Sequence, residues 1–592
     1  PLPQHGDEGS PASLGRALLR SRGIEGTDQE LESLVTDFGG QALAIDLLAS
    51  YFRIRRSLVP PPRPSAIGNR NDHARRVLAG LASEYGEGAE VGLLRTLALF
   101  DGPVAMSELD AILEPPALAG ATEYLDGARG TLLFQLIQKL KRERLLTLAE
   151  QPTSVIDLHP IVRQYFADDW SRRDHSSFLA GHRRLYHYYR ALVPAAPRSA
   201  DDVEQLVRAI GQGLQAGLHE DAYEQFLRAV AQRGATLLPA EQGLIGLELS
   251  ALAGFFAQRW SRVVDELSPA ARRDLLGRVA ECLQALGRVA EAEEPLLQCL
   301  ARGDDGASNE DTAETAQSLS TIYLVLGDLP RARHFSQLSV TQFVSQCPDP
   351  RAVHILCRHG DILQLMGETE EAEATLRRAE KLHAQIDPGH PALRGVDSFW
   401  RCDLLLAQAQ QSLLASGHPS GTIDERILAR LEEVHGRAKA AIAMDLDDAF
   451  ALALHQICIG RAAMLQALCS RRYRLADAVE PLDRGVNGLR RSGRQHWLPR
   501  GLLARAALRR EMGLLPEAAA DIREAREIAE RRHITPMRLH IADCLVEQAR
   551  VDLARGNIAP AVDACREART LVSEMRYRSR DIVLTAIEAA LP

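Results

Sequence analysis

Leu286-Gly287-Arg288, with Ala292 five residues after its glycine, returns forty residues on as Leu326-Gly327-Asp328 with Ala332, and forty further as Met366-Gly367-Glu368 with Ala372. The Gly–Ala pair recurs at Gly513/Ala518 and Gly556/Ala561, earlier at Gly217/Ala222, and without its glycine at Arg472-Tyr473/Ala478. A fixed period of this size marks a repeat architecture, here a helix, a turn and a second helix per unit. One such pair cannot bury its apolar face alone; stacked pairs bury a continuous core and coil into a superhelix. Glycine at the turn reaches backbone conformations closed to other residues. Asp328 and Asn557 follow it as N-caps, and Pro330, Pro516 and Pro560 open the second helix without losing a needed N–H. The alanines let the two helices approach closely.

The Gly-to-Ala offset resembles the tetratricopeptide repeat, whose period is about 34 residues. The longer period here adds about one and a half helical turns per unit. Residues 271–592 are therefore expected to form a right-handed α-solenoid of tetratricopeptide-like hairpins. Two long helices, 396–414 and 424–444, fill the less regular middle. Such arrays bind peptides or proteins on a concave face built from first helices. Trp400, Arg401 and Asp403 are candidates on one first helix, and His496, Trp497, Arg500 and Arg505 on another. Arg505 and Arg509, four residues apart, would offer a cationic stripe to an acidic partner.

The chain has 592 residues, 46% of them hydrophobic and 25% charged. That is too long for one core and apolar enough for several. A formal charge of −9 argues against a dedicated nucleic-acid surface. Nine cysteines stand singly with no C-x-x-C, which fits buried thiols in a reducing cytosol and neither a disulfide framework nor a metal site. No run of 18 apolar residues suggests a membrane span. The sequence starts Pro-Leu-Pro-Gln-His with no signal-peptide pattern, and reads as a piece of a longer, cytoplasmic protein.

Ahead of the array, residues 1–10 read as disordered and 13–22 as a short helix. Thr27, with Glu30 three residues on, opens a second helix through a capping box. Gly39-Gly40-Gln41-Ala42-Leu43-Ala44-Ile45 then restarts a helix. Residues 58–73, with Pro60, Pro61, Pro62 and Pro64, form a linker. Residues 74–170 carry helical patterns near 73–84, 90–100, 106–113 and 130–144, then two short strands at 145–148 and 155–158. That is a winged-helix layout. Lys139, Lys141, Arg142 and Arg144 make its last helix basic. Residues 171–270 read as a helical connector.

Two stretches here resemble the STAND/NB-ARC signalling ATPases. Gly39-Gly40-Gln41-Ala42-Leu43-Ala44-Ile45 is similar to the "GGLPLAL" sequence of that family's helical domain, with Ala42 in place of its proline. Leu158-His159-Pro160-Ile161-Val162-Arg163-Gln164-Tyr165-Phe166 is similar to the "LHPLVREYF" form of its winged-helix signature. The resemblance implies that residues 1–57 end a nucleotide-binding module. It implies too that Gly40, Ala42 and His159 face ADP, with His159 on its phosphate. No G-x-x-x-x-G-K-[ST] loop occurs, so this chain alone is no ATPase; ATP or ADP with Mg²⁺ belongs to the full-length protein. The implied mechanism is a switch. A protein or peptide on the array releases an ADP-locked state, protomers self-associate, and an upstream effector in bacterial defence or signalling is turned on. The competing readings are a tetratricopeptide transcription regulator whose winged helix binds DNA, and an inert scaffold. No catalytic constellation is present.

Overall fold

A computed structural model of the protein describes residues 11–62, 71–127, 130–149, 155–194, 199–232, 242–301, 308–343, 349–416, 425–444, 448–531 and 535–591. The expectation for residues 1–10, and those for the later part of the 58–73 linker, lie outside the described residues. The chain divides into two compact units, Pro1–Leu237 and Leu238–Pro592.

In the first unit, Thr27 caps helix Asp28–Asp37. Its hydroxyl accepts from the Glu30 amide at 3.3 Å, and the Glu30 carboxylate accepts from the Thr27 amide at 2.9 Å. Gly39 and Gly40, at φ +63° and +65°, turn the chain into helix Ala42–Arg55. The proline stretch that follows is held in part: Arg76 donates to the Pro61 carbonyl at 2.6 Å and to that of Pro62 at 3.2 Å. Helices Asn71–Tyr85, Ala89–Leu97, Met106–Ile112 and Thr131–Arg142 accompany a three-stranded antiparallel sheet. Its middle strand, Val155–Asp157, pairs with Thr147–Ala149 on one side and Val104–Ala105 on the other. The outer strand Val104–Ala105 escapes sequence reading because two residues show no alternation.

Helix Pro160–Arg173 follows, and one apolar core runs from Leu19 to Ala209. A buried arginine ties its parts together. Arg95 donates to Asp169 at 2.6 Å, to Glu87 at 2.6 Å and to the Gly120 carbonyl at 2.8 Å. Removal of one partner would strand a charge inside the fold, which is why such clusters hold elements in register.

The second unit begins with helix Gln242–Ala253 and then departs from the all-helical connector expected there. Phe256–Gln258 and Arg262–Val263 pair as a small hairpin turning at Trp260, whose φ is +61°. Ser268 caps helix Pro269–Ala285 as expected, accepting from the Ala271 amide.

Seven helix pairs then follow among the described residues. They are Pro269–Ala285 with Glu293–Ala301, Asn309–Leu326 with Leu329–Phe343, Pro350–Leu365 with Thr369–Ile386, Gly395–Ser416 with Glu425–Met444, Ala449–Cys469 with Val479–Arg491, Leu498–Glu511 with Leu515–Ala529, and Arg538–Arg555 with Ile558–Met575. Helix Asp581–Ala590 ends the array. Every turn glycine of the period lies at positive φ, from +74° at Gly217 and Gly287 to +79° at Gly367. The amide after each glycine reaches back to the carbonyl five residues earlier: Arg288 to Leu283, Asp328 to Tyr323, Glu368 to Leu363, Leu514 to Arg509 and Asn557 to Asp552, at 2.8–2.9 Å. This is the Schellman closure, and it needs the left-handed residue. Ala222, Ala292, Ala332, Ala372, Ala478, Ala518 and Ala561 are all fully buried between their paired helices. Asp328 caps as expected, its carboxylate accepting from the Arg331 amide at 3.1 Å. Asn557 stands at the N-cap position but its side chain makes no capping bond.

The array closes on itself. The Thr535 amide donates to the Gly287 carbonyl at 3.3 Å, and the Ala290 amide to the Thr535 hydroxyl at 3.2 Å. Gly327 packs against Met575 and Arg538, and Gly367 against Arg578. The turns of the first three pairs therefore meet, in order, the segment just before the seventh pair, the seventh pair itself and the segment after it. Helix Ala449–Cys469 is long and apolar enough to cross a membrane; here it is largely buried in the array core.

Candidate functional site

First helices of the array line an interior cavity of about 400 Å³. Gln317 and Thr321 come from the second pair, Arg358 and Asp361 from the third, Trp400 from the fourth, Arg500 from the sixth, and His540 and Asp543 from the seventh. Tyr577 enters just beyond the seventh, so both ends of the closed array contribute wall. The stripe follows helical geometry. Thr321 and Asp361 each precede their turn glycine by six residues, and His354 and Asp543 precede theirs by thirteen, positions on one helix face.

An aromatic cluster forms the floor. Trp497 lies 5.4 Å from Trp400, 5.3 Å from Phe450 and 5.9 Å from Phe399 between ring centroids. The Arg500 guanidinium sits over Phe399, Trp400 and Trp497 at 5.3–5.5 Å, Arg358 lies 5.3 Å from Trp400, and Arg494 4.4 Å from Phe450. Guanidinium groups over ring faces gain cation–π attraction where water is scarce.

The charges are unevenly matched. Asp543 accepts from Arg580 at 2.6 Å and from the Tyr577 hydroxyl at 3.2 Å. Asp403 pairs with Arg461, with Arg500 farther off at 3.7 Å; burial disfavours its charge, yet the two arginines hold it below the ordinary carboxylate range. Among the described residues Arg358 has a single weak bond, to Thr321 at 3.4 Å. Asp361 is 2% exposed, and burial pushes its carboxyl up to about 6 against the pull of Arg500 and Arg358. Burial likewise drives the His540 imidazole down to about 4. Among the described residues, five buried polar atoms on side chains that line the cavity make no hydrogen bond: Gln317 Oε1, Asp361 Oδ1, Trp400 Nε1, Arg500 Nη1 and His540 Nδ1. Each such atom costs about 1–3 kcal/mol unless something satisfies it. A neighbouring cavity of about 190 Å³ shares Leu365, Arg500 and Asp543 but is lined by matched charges, among them Arg510 with Glu547 at 2.7 Å.

Of the residues expected on the partner face, Trp400, His496, Trp497 and Arg500 line the cavity, and Asp403 lines its smaller neighbour. Arg401 does not; it is buried, 3.7 Å from both Glu373 and Glu380. Nor is there a cationic stripe at Arg505 and Arg509. Asp521 accepts from both, at 2.8 Å each, and Asp483 takes a further bond from Arg505. A guanidinium saturated by carboxylates has little left for a partner. Arg358, Asp361, His540, Asp543 and Tyr577 are not singled out by the sequence analysis; of these, Asp361 and Asp543 carry the spacing before a turn glycine that marks the lining face.

In the first unit, His159 is exposed and caps its own helix: Nδ1 accepts from the Ile161 amide at 3.2 Å. That bond places the hydrogen of the neutral ring on Nε2, which points away as a donor. Gly40 closes the turn onto the Val35 carbonyl at 2.9 Å, and Ala42 is exposed at the start of its helix. Beside them, Gln41 Oε1 is buried with no hydrogen bond. Arg163 binds Asp157 at 2.6 Å, joining the middle strand to helix Pro160–Arg173, while Leu158, Val162 and Phe166 fill the core. At the basic end of helix Thr131–Arg142, Lys139 is paired with Glu90.

No protein-family model matches the chain, and no curated protein does. Among solved structures it is similar to a signal transduction ATPase with numerous domains (STAND) with a tetratricopeptide repeat sensor from Pyrococcus horikoshii: 14% identity, 98% of this chain, 74% of that one, TM-score 0.35. It is also similar to the Rap conjugation gene regulator of plasmid pLS20 in complex with the Phr* peptide, with 10% identity over 68% of this chain and 97% of that one, TM-score 0.41. A tetratricopeptide repeat protein from Parabacteroides merdae matches at 15% identity over 53% of this chain and 98% of its own, TM-score 0.30. The fold is an all-α array of tetratricopeptide-like hairpins, as the helix order and turn geometry define it.

Proposed function

We propose that this chain is the regulatory, ligand-sensing half of a STAND-type signalling NTPase. The array takes up a protein or peptide trigger, and its occupation relieves an ADP-locked state in the full-length protein. The cavity carries this reading: among the described residues, five side chains with a buried polar atom that makes no hydrogen bond line a space built from both ends of a closed superhelix. A binding surface built this way changes the stability of the closure when it fills, which is what a sensor requires. The chain itself performs no chemistry in this reading.

The switch end rests on the two family-like stretches. The outward Nε2–H of His159 suits a phosphate oxygen. The buried, unbonded Gln41 Oε1 beside Gly40 suits a donor such as an exocyclic amine of a base. Nucleotide and Mg²⁺ would be held mainly by residues outside this chain. The test joins the chain to its upstream ATPase and changes His159 to Ala. Faster ADP loss and raised basal activity are expected; unchanged ADP retention overturns the switch.

A further inference from the structure

We propose that the cavity recognises a carboxylate and a hydrogen-bond donor on one small ligand, the chemistry shared by a free amino acid and a short peptide. The carboxylate is held by Arg500, Arg358 and the Trp400 indole N–H, the donor by Asp361. This deepens the sensor reading above and rests on it.

Three observations converge. Among the described residues Trp400 Nε1 makes no hydrogen bond, Arg500 Nη1 makes none and has only Asp403 at 3.7 Å, and Arg358 makes only the 3.4 Å bond to Thr321. Guanidinium and indole groups can only donate, so the missing partner is an acceptor. The charge balance says it is an anion. Asp543 has Arg580, and Asp403 lies between Arg461 and, at 3.7 Å, Arg500, so Arg358, Arg494 and part of Arg500 are set against the single carboxyl of Asp361. Asp361 Oδ1 accepts nothing, so the same ligand must also donate.

Other anions fit less well. A phosphate ester with no hydroxyl or amine elsewhere in the molecule presents acceptors alone when doubly ionised and would meet the Asp361 carboxyl unfavourably. A neutral sugar would need open aromatic faces, but Arg500 covers Trp400 and Trp497, and Arg358 also lies over Trp400. A carboxylate matches the planar fork of arginine with paired bonds. The volume of about 400 Å³ suits a ligand of amino-acid to short-peptide size.

The experiment is calorimetric titration of the intact chain. The probes are the twenty free amino acids and randomised tetrapeptide mixtures, each mixture supplied as free acid, as C-terminal amide and as N-acetylated acid. Free acids are expected to bind, with amidation weakening binding by about tenfold or more, the worth of a charge-assisted hydrogen bond. Arg358→Gln should reproduce that loss; because Arg358 has one weak protein bond, the variant should stay folded, checked by its melting curve. Arg500→Gln should do so too, but it also touches Asp403 and serves as the second variant. Asp361→Asn should erase any preference for free over acetylated amines. Binding by single amino acids or only by tetrapeptides assigns the source. Amides that bind as well as acids, a folded Arg358→Gln protein with wild-type affinity, or no binding by any free acid would overturn the proposal. The switch reading fails separately: free acids that bind while ADP retention in the full-length protein ignores them refute the switch and leave the site standing.

Discussion

A β-carbon at Gly327 would stand 2.5 Å from the sulfur of Met575, a side chain only 1% exposed. The turn of the second helix pair and the end of the seventh are thus in contact. Gly513 and Gly556 have equal φ values but open space around them. Gly513→Ala should therefore cost only the left-handed backbone term, about 1 kcal/mol. Gly327→Ala should add the displacement of Met575 and Arg538 and loosen the closure. Hydrogen exchange at the Thr535 amide, which donates to Gly287, is the measurement. It should accelerate in Gly327→Ala and stay as in wild type in Gly513→Ala; equal exchange in both means the closure does not depend on this contact.

Asp521 is 4% exposed and holds Arg505 and Arg509 together. Asp521→Ala would leave two neighbouring guanidinium groups facing each other with one carboxylate fewer. A loss of about 3 kcal/mol is expected, as for other broken buried pairs. Urea unfolding followed by circular dichroism reads it. A melt unchanged from wild type would show that water takes over the role of Asp521.

The repeat was legible because three of its requirements are local. A left-handed turn needs glycine, a tight helix crossing needs alanine, and a helix start tolerates proline. Each left a residue in the chain. The middle of the array was harder, since helices of 20–22 residues at Gly395–Ser416, Glu425–Met444 and Ala449–Cys469 stretch the period. The site was legible only in part. Trp400, Trp497 and Arg500 stand out by residue type. Asp361 and Arg358 matter because residues far away in sequence leave them unmatched, and Arg505 fails because Asp521, sixteen residues on, claims it. Closure of the array is likewise a long-range event: Gly287 and Thr535 give no local hint of each other.

His159 does a local job that must be separated from any nucleotide role. His159→Ala removes the cap on the Ile161 amide and should cost the first unit about 1 kcal/mol. His159→Asp keeps a good cap and puts a negative charge where the imidazole would offer an N–H donor to a phosphate. In the full-length protein of the proposed switch, loss of ADP retention in both variants places the imidazole on the phosphate. Retention kept by His159→Asp and lost by His159→Ala would make capping its whole function.

The pH dependence of the array tests whether Asp361 is held in a poor environment for its charge. In the unfolded chain its carboxyl titrates near 3.8; in the fold, burial raises it to about 6 despite Arg500 and Arg358, with Asp403 pushing the same way as burial. A raised value means the folded state binds the proton more tightly. The stability this gives is full below 3.8 and is lost as pH rises through about 6. Asp361→Asn cannot ionise. It should gain on wild type progressively between about pH 4 and 6, and hold an advantage of about 3 kcal/mol at most above that, the equivalent of the rise. His359 and His540, both driven down to about 4 by burial, act in the opposite sense: the fold loses stability as pH falls from 6.5 toward 4. They are present in both proteins, so they cancel in the difference between the two curves. Melting temperatures of wild type and Asp361→Asn from pH 4 to 8 therefore isolate the one carboxyl. Parallel curves would mean that Asp361 is solvated after all and has no need of a ligand donor. Curves that diverge above pH 5, from a variant that also ignores ligand acetylation, would place stability and recognition in the same side chain: the array keeps a costly carboxylate because its ligand relieves it.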